Sequence, residues 1–226
     1  KIGKSIANTI NATTPPTSSI LFSGLDSSVA GEVENNYADQ GHIIISNSKN
    51  HRMDPTVPLV IPEINPDHFA LLAEQRWNGA ILTNSNCSTM FLAMALAPIE
   101  ETFGLTAVQV STMQAISGAG YPGVPSYDII GNVIPYIGGE EEKMEEETQK
   151  ILGTLVDNQI QDADFAVSAQ CNRVPVVDGH TETISLGLKQ KASPEEIMKV
   201  MGAFRGMPQK LNLPSAPPQP LMIMEE

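Results

Sequence analysis

The sequence predicts an α/β protein in two lobes, and three observations carry that expectation. Two short apolar strands flank a helix at βαβ spacing, which favours a parallel sheet. The second half holds longer strand-like segments beside an acidic helix, a mixed pattern. With 41% hydrophobic residues among 226 and a mean hydropathy of −0.08, the chain has enough apolar material for packed cores. The change of character puts a boundary near residue 85, giving lobes of 1–85 and 86–226.

The elements follow in order. Residues 1–19 are rich in Ser, Thr, Asn and Pro, and Pro15-Pro16 breaks any helix there. Ser19 to Ser23 reads as a buried strand, Gly24-Leu25-Asp26 as a turn, Val29 to Asp39 as a helix and His42 to Ser46 as a second strand. Pro58 to Ile61 is expected to be a third. Asn65-Pro66-Asp67-His68 looks like a helix start, with an Asn cap and Pro in the first turn. Strand Ala80 to Thr83 runs through Asn84-Ser85-Asn86 into a helix over about Ser88 to Thr102. That helix is apolar almost all round, so burial on all sides is expected. Val108 to Met113 is a strand, Ser117 to Pro125 a Gly/Pro loop, and Glu140 to Leu155 a helix. Phe165 to Val177 and Thr181 to Leu188 read as an antiparallel pair turning at Asp178-Gly179. Ser193-Pro194-Glu195-Glu196 is a capping box opening a helix to about Phe204, and Leu213 to Pro220 is an extended, proline-rich tail.

Composition removes several function classes. The formal net charge is −13, and the acidity is spread along the chain, so a nucleic-acid binder is disfavoured. Two cysteines cannot make a disulfide scaffold and suit a reducing, cytoplasmic compartment. The longest nearly uncharged apolar run, Met90 to Ile99, is about half a membrane span, and no basic, apolar leader is visible. The chain starts at Lys1 and stops at Glu226 straight after an apolar run, so both ends look cut.

Cys87 is the most informative residue. At a strand-to-helix junction the helix N–H groups and dipole point at it, which is expected to lower the thiol pKa. The bland alternative, a small buried hydrophobe, suits Cys171 inside its strand better. Among the four histidines, His42 and His68 are expected to be solvated or capping, and His180 is the best general acid/base candidate for Cys87. No CxxC, HxxxH or HExxH spacing occurs, so no metal site is expected. Gly118-Ala119-Gly120-Tyr121-Pro122-Gly123 fits GxGxxG, but Pro122 and Pro125 prevent the helix that a dinucleotide loop must open. It remains a loop where backbone can approach a ligand. The six glutamates between Glu140 and Glu147 read mostly as a solvated helix face. Arg52 and Arg173 stand out because arginine is scarce, and their fork suits carboxylate or phosphate.

Four ordered motifs resemble aspartate-semialdehyde dehydrogenase of the archaeal and fungal branch. They are Asn86-Cys87-Ser88-Thr89, Gln114 through Gly120, Ile134 through Met144, and Cys171-Asn172-Arg173-Val174 with Asp178-Gly179-His180-Thr181-Glu182. The likeness runs from about Leu21 to the C-terminus and fits residues 1–19 poorly. It implies the remnant of an NADP-binding Rossmann lobe, then a catalytic and dimerisation lobe of α+β type like that of glyceraldehyde-3-phosphate dehydrogenase. The implied reaction is NADPH-dependent reduction of L-aspartyl 4-phosphate to L-aspartate 4-semialdehyde with release of phosphate, on the route to lysine, threonine and methionine. By the same resemblance Cys87 is the thioester-forming nucleophile, His180 the acid/base and Gln114 a substrate-holding residue. Arg173 takes the substrate carboxylate, Glu140 its amino group, and Arg52, Lys143 and Asn86 the phosphate. Ser23, Gly24, Ser117 and Gly118 touch NADP(H). The implied assembly is a homodimer or homotetramer acting on a small molecule and phosphate, with no nucleic acid and no membrane.

The family's opening GxTGxVG loop and its closing Asp-Arg-Pro-Gln-Pro segment are not found here, so the chain is expected to be a fragment. Two other readings stay open: a malonyl-CoA reductase sharing the Cys and His, and a non-catalytic dimerising partner.

Overall fold

A computed structural model describes residues 16–224. Residues 1–15, with most of the Ser/Thr/Pro-rich start, lie outside the described residues. The βαβ expectation holds. β1 (Ile20–Ser23) leads through α1 (Ser27–Asp39) to β2 (Ile43–Ser46), which pairs with β1 in parallel. Asp26 caps α1 by accepting from the Ser28 N–H at 2.9 Å. β3 (Ala80–Thr83) completes the parallel sheet β1-β2-β3, and α1 packs over it on Tyr37, Ala38, Ile44, Val57, Trp77 and Ile81.

The strand expected at Pro58 to Ile61 shrinks to a single bridge, Leu59 with Thr83. Prolines at 58 and 62 remove the N–H groups a ladder needs. The Asn65 side chain holds this segment instead: Oδ1 accepts from the Ile61 N–H and Nδ2 donates to the Leu59 carbonyl, both at 2.9 Å. It is therefore not a cap for the Pro66–Glu74 turn, which is a 3₁₀ helix. His68, expected at the surface, is fully buried beside Asn65.

α2 (Cys87–Phe103) starts four residues after β3. One side of it is buried, through Leu92, Ala93, Leu96 and Ile99 among others, but Cys87, Phe91, Glu101 and Thr102 are exposed, so the apolar helix is not enclosed on every side. β4 (Leu105–Gln114) follows, then a 3₁₀ turn at Ile116–Ala119, the four-residue α3 (Ser126–Ile129) and α4 (Glu140–Ile151). Gly139 enters α4 at φ 71°, a left-handed conformation that a side chain disfavours. α4 ends before the expected Leu155 because Leu155 belongs to a hairpin, β5 (Thr154–Val156) with β6 (Gln159–Gln161). Asp157 and Asn158 turn it with positive φ, the two-residue turn chemistry that the sequence reading passed over.

The largest correction concerns β7 (Ala166–Arg173) and β8 (Thr181–Leu188). They do not pair with each other. β4 lies between them, parallel to β7 and antiparallel to β8. The stretch from Val174 to His180 is a crossing strap: Ile116 and Ser117 donate to the Val176 and Val177 carbonyls at 2.9 and 3.1 Å, which carries the chain over the end of β4. The inner face of this mixed sheet packs on α2 and α4 through Leu92, Leu96, Val108, Val110, Met144 and Cys171. α5 (Pro194–Ala203) opens on the expected capping box at Ser193 and Glu196, and α6 (Met207–Lys210) precedes a tail without strand or helix.

The acidic run in α4 is mostly not a solvated face. Only Glu142 and Glu146 are exposed. Glu141 and Glu145 accept from the backbone N–H groups of Cys171 and Ala169, both at 3.0 Å, closing the outer edge of β7. Glu140 and Glu147 turn toward the cleft.

Candidate active site

The two sheets meet at their strand ends. Ser23, Ser46 and Thr83 align at the C-terminal edge of the parallel sheet. Gln114 and Arg173 are paired at the C-terminal ends of β4 and β7, and His180 immediately precedes β8. Between them stands Cys87, the first residue of α2.

Cys87 Sγ lies 3.3 Å from His180 Nε2. The other ring nitrogen, Nδ1, accepts from the Ala115 backbone N–H at 3.1 Å. In a neutral imidazole the proton then sits on Nε2 and faces the sulfur. Burial lowers the His180 pKa, Arg173 lowers it further, and Glu140 opposes them in part. Phe91, one turn along α2 from Cys87, meets the imidazole edge-on with centroids 6.2 Å apart.

The expected drop in the thiol pKa does not occur in this arrangement. Cys87 is open to the cleft, yet dense packing on its protein side makes desolvation the largest influence and pushes the thiol up. The Glu140 carboxylate adds to this, and hydrogen bonds from Ser88 counter only part of it. Two of the α2 donors are already engaged, since Asn86 Oδ1 accepts from the N–H groups of Ser88 and Thr89 at 3.0 and 3.3 Å.

Glu140 receives Lys143 Nζ at 2.6 Å and Asn86 Nδ2 at 2.8 Å. Burial alone would raise its pKa, but these two donors outweigh that and hold the carboxyl below its usual range. Gln114 is buried, and neither amide atom has a well-formed protein hydrogen bond, although it lies near enough to Glu140 to favour the carboxylate. A buried amide without partners is costly unless something else satisfies it. Arg173 Nη1 donates to the Ala115 carbonyl at 2.7 Å. A Cβ built on Gly118 would fall 2.9 Å from Arg173 Nη1 and 3.0 Å from His180 Cε1, so the glycine is what lets the loop lie against both side chains.

The remaining expected residues are less central. Ser117 and Gly118 are exposed at the cleft. Ser23 Oγ is committed to the buried Glu34, and Gly24 faces open space. Arg52 does not present a free guanidinium. Its Nη1 donates to Glu147 Oε1 at 2.9 Å and its Nη2 to the Asn47 carbonyl at 2.8 Å, with the residue only 7% exposed. Glu147 was missed in the sequence, as were Phe91 and Lys150. The signal was available: Glu140, Lys143, Glu147 and Lys150 recur at helical spacing on one side of α4. Lys150 Nζ donates to the carbonyls of Arg52, Asp54 and Val57 at 2.6, 2.8 and 3.1 Å, and burial brings its pKa to about 8. Among the described residues no group of three His, Cys, Asp or Glu side chains could hold a metal ion, and no helix is long and apolar enough to cross a membrane.

Residues 96–225 match the family model for the semialdehyde dehydrogenase dimerisation domain, and residues 5–72 match that for the semialdehyde dehydrogenase NAD binding domain. An aspartate-semialdehyde dehydrogenase from Methanothermobacter thermautotrophicus is 49% identical, over 92% of this chain and 60% of its own. The chain belongs to the semialdehyde dehydrogenase family. The Schizosaccharomyces pombe aspartate-semialdehyde dehydrogenase is 47% identical at the same coverage. The crystal structure of Candida albicans aspartate-semialdehyde dehydrogenase with NADP superposes with a TM-score of 0.81 and 40% identity, over 89% of this chain and 60% of that one. The chain thus spans about 60% of the length of these aspartate-semialdehyde dehydrogenases. Its α/β fold, with an NAD-binding and a dimerisation domain, is the one expected for the family.

Proposed function

We propose that this chain carries the nucleophile and substrate site of an enzyme reducing L-aspartyl 4-phosphate to L-aspartate 4-semialdehyde, on the route to lysine, threonine and methionine. The observation that carries the reading is the 3.3 Å approach of Cys87 Sγ to His180 Nε2, framed by Arg173 on one side and the Glu140–Lys143 pair on the other. The division near residue 85 separates the cofactor lobe from the catalytic, dimer-forming lobe. A homodimer or homotetramer in the cytoplasm is the assembly that goes with it.

Cys87 gives up its thiol proton to solvent and attacks the acyl phosphate carbon, the C–O bond to phosphate breaks, and inorganic phosphate leaves as the thioester forms on the sulfur. His180, with its proton held on Nε2 by the Ala115 N–H, donates toward the thiolate and then toward the oxygen that gains charge when the thioester is reduced. Arg173 binds the substrate carboxylate and Glu140 its ammonium. An ammonium against Glu140 also cancels the carboxylate's effect on the thiol, so substrate binding itself helps Cys87 to ionise. Gln114, whose buried amide lacks a good partner in the protein, positions the acyl group. Lys143 and Asn86 take the phosphate. Lys143 is the more accessible cation, whereas Arg52 is bound up with Glu147 and Asn47.

NADP(H), when bound, supplies or accepts the hydride. The residues present fit it. Ser23, Ser46 and Thr83 end the parallel strands on the edge where a doubly wound sheet receives its ligand, Gly24 leaves open space there, and Ser117 and Gly118 are exposed beside His180.

The test uses the full-length gene product. With aspartate semialdehyde it is expected to reduce NADP only when phosphate is present, and Cys87→Ala is expected to abolish the reaction. Activity retained in that variant would overturn the mechanism.

A further inference from the structure

We propose that Glu34 is a positioning residue for the cofactor, acting through the strand-end hydroxyl of Ser23; this rests on the reading above that the edge of the parallel sheet receives NADP(H). Glu34 lies on the buried side of α1 with Ala30, Tyr37 and Ala38, at the helical spacing where the sheet calls for an apolar side chain. It is nevertheless a carboxyl, and it is 1% exposed. Taking such a group out of water is costly, and a helix packed for stability alone has no use for it.

The two oxygens of Glu34 are used differently. Oε1 accepts from two hydroxyls, Ser23 Oγ and Ser46 Oγ, the latter at 2.6 Å. Oε2 is buried without a hydrogen-bond partner and faces His51 Nε2 at 3.8 Å, another buried atom without one. That distance is too long for a hydrogen bond, so this half of the carboxyl adds little to the fold. His51 is held by packing, its ring edge-on to Trp77 with centroids 5.7 Å apart. The defined work of Glu34 is therefore at the strand ends.

Ser23 and Ser46 are paired in the parallel register, so one acceptor on α1 collects the hydroxyl hydrogens of both strand ends. Ser46 is buried, and its Oγ also accepts from the Ser48 N–H at 3.0 Å, which leaves it little to offer a ligand. Ser23 is only half-buried, and a Cβ built on Gly24 beside it meets no atom within 4 Å. With its hydrogen turned inward, Ser23 presents oxygen lone pairs to that open edge. A cofactor hydroxyl or amide, which brings its own hydrogen, is the group that fits. Without Glu34 the Ser23 hydroxyl is free to rotate, and binding has to fix it at a cost in affinity.

Glu34→Met keeps the length of the side chain and removes the acceptor, whereas Glu34→Gln keeps an acceptor oxygen and removes the charge. In the full-length gene product, Glu34→Met is expected to raise the Kd for NADP about tenfold, read by titration calorimetry without substrate. Glu34→Gln is expected to stay within about threefold of the parent. In turnover the KM for NADP should rise with the Kd, and that for aspartate semialdehyde should stay within about twofold. Ser23→Ala is expected to cost as much as Glu34→Met, and the double variant no more than either. Glu34→Met also relieves the desolvation of a buried carboxyl, so it is expected to melt at or above the parent. Lower melting, or failure to fold, would make the carboxyl a folding residue and overturns the proposal. So do an unchanged Kd in Glu34→Met, an equal loss in Glu34→Gln, or additive losses in the double variant. A parent that binds no NADP overturns the cofactor reading and this proposal together; a parent that binds it as tightly as Glu34→Met does overturns the proposal alone.

Discussion

The two sheets approach the same cleft with different chemistry. The parallel sheet ends in small neutral groups, Ser23, Ser46 and Thr83, followed by Asn47, Asn84 and Asn86. Its buried carboxylate, Glu34, is turned inward onto the hydroxyls of Ser23 and Ser46. The mixed sheet and α4 bring the charges: Arg173 and His180 from the strand ends, Glu140 and Lys143 from the helix. The contrast teaches how the proposed labour is divided. A surface of hydroxyls, amides and free backbone can lie against a large cofactor without a fixed charge nearby. An acyl phosphate bearing an ammonium and a carboxylate needs one charged partner for each group. The lobes are joined where they differ most, through Arg52 with Glu147 and through Lys150.

Breaking the junction at Lys150 has the largest expected effect. Lys150→Met removes the donor shared by three carbonyls of the 52–57 segment. Each buried carbonyl left open costs on the order of 1 kcal/mol, and the relieved ammonium desolvation offsets part of this, so a loss of about 3 kcal/mol is the upper expectation. Urea unfolding measures it. An unchanged midpoint would mean that the parallel lobe holds its own edge without α4.

Gly118→Ala sharpens the charged side of the comparison. The added methyl must push either Arg173 Nη1 or His180 away, because the glycine does not sit in the left-handed region and the strain is steric only. A fall in kcat of about 100-fold is expected, roughly 2.7 kcal/mol of transition-state stabilisation, with little change in thermal stability. The corresponding change on the neutral side, Gly24→Ala, meets no atom within 4 Å and serves as the control for folding.

The same contrast explains what could be read from the sequence. The parallel lobe was legible because strand, helix and strand follow one another locally, with Asp26 and the Asn84–Asn86 run marking the helix starts. The mixed sheet was not, because its order β7-β4-β8 is set by pairings between segments some 60 to 80 residues apart, for which turn residues give no signal. Asp178-Gly179 looked like a hairpin and is part of a strap. Of the candidate site, Cys87, His180, Gln114, Arg173, Glu140, Lys143 and Asn86 were singled out by motif, and the structure places them near one another. Glu147 and Lys150 were lost in what looked like a solvated acidic face, since charge in a sequence does not reveal which neighbour faces it. The thiol was misjudged for a related reason: the helix start was visible, but the packing that desolvates the sulfur, and after it the Glu140 carboxylate brought in by α4, were not.

Glu182 gives the smallest and most condition-dependent prediction on the charged side. It lies on β8, opposite Thr112, and burial raises its carboxyl to about 7, with Oε1 buried and without a partner. In the unfolded chain the same group titrates near 4.5. Between those values the folded protein keeps a proton that the unfolded chain has released, so this residue's contribution to stability falls as pH rises from about 4.5 through 7. Glutamine imitates the protonated acid at every pH. Glu182→Gln is therefore expected to melt with the parent at pH 4, below the unfolded value, and a few degrees above it at pH 8, in parallel thermal scans in matched buffers. A difference of the same size at both values would mean that the carboxyl is already ionised in the folded protein, with a partner that stabilises its charge.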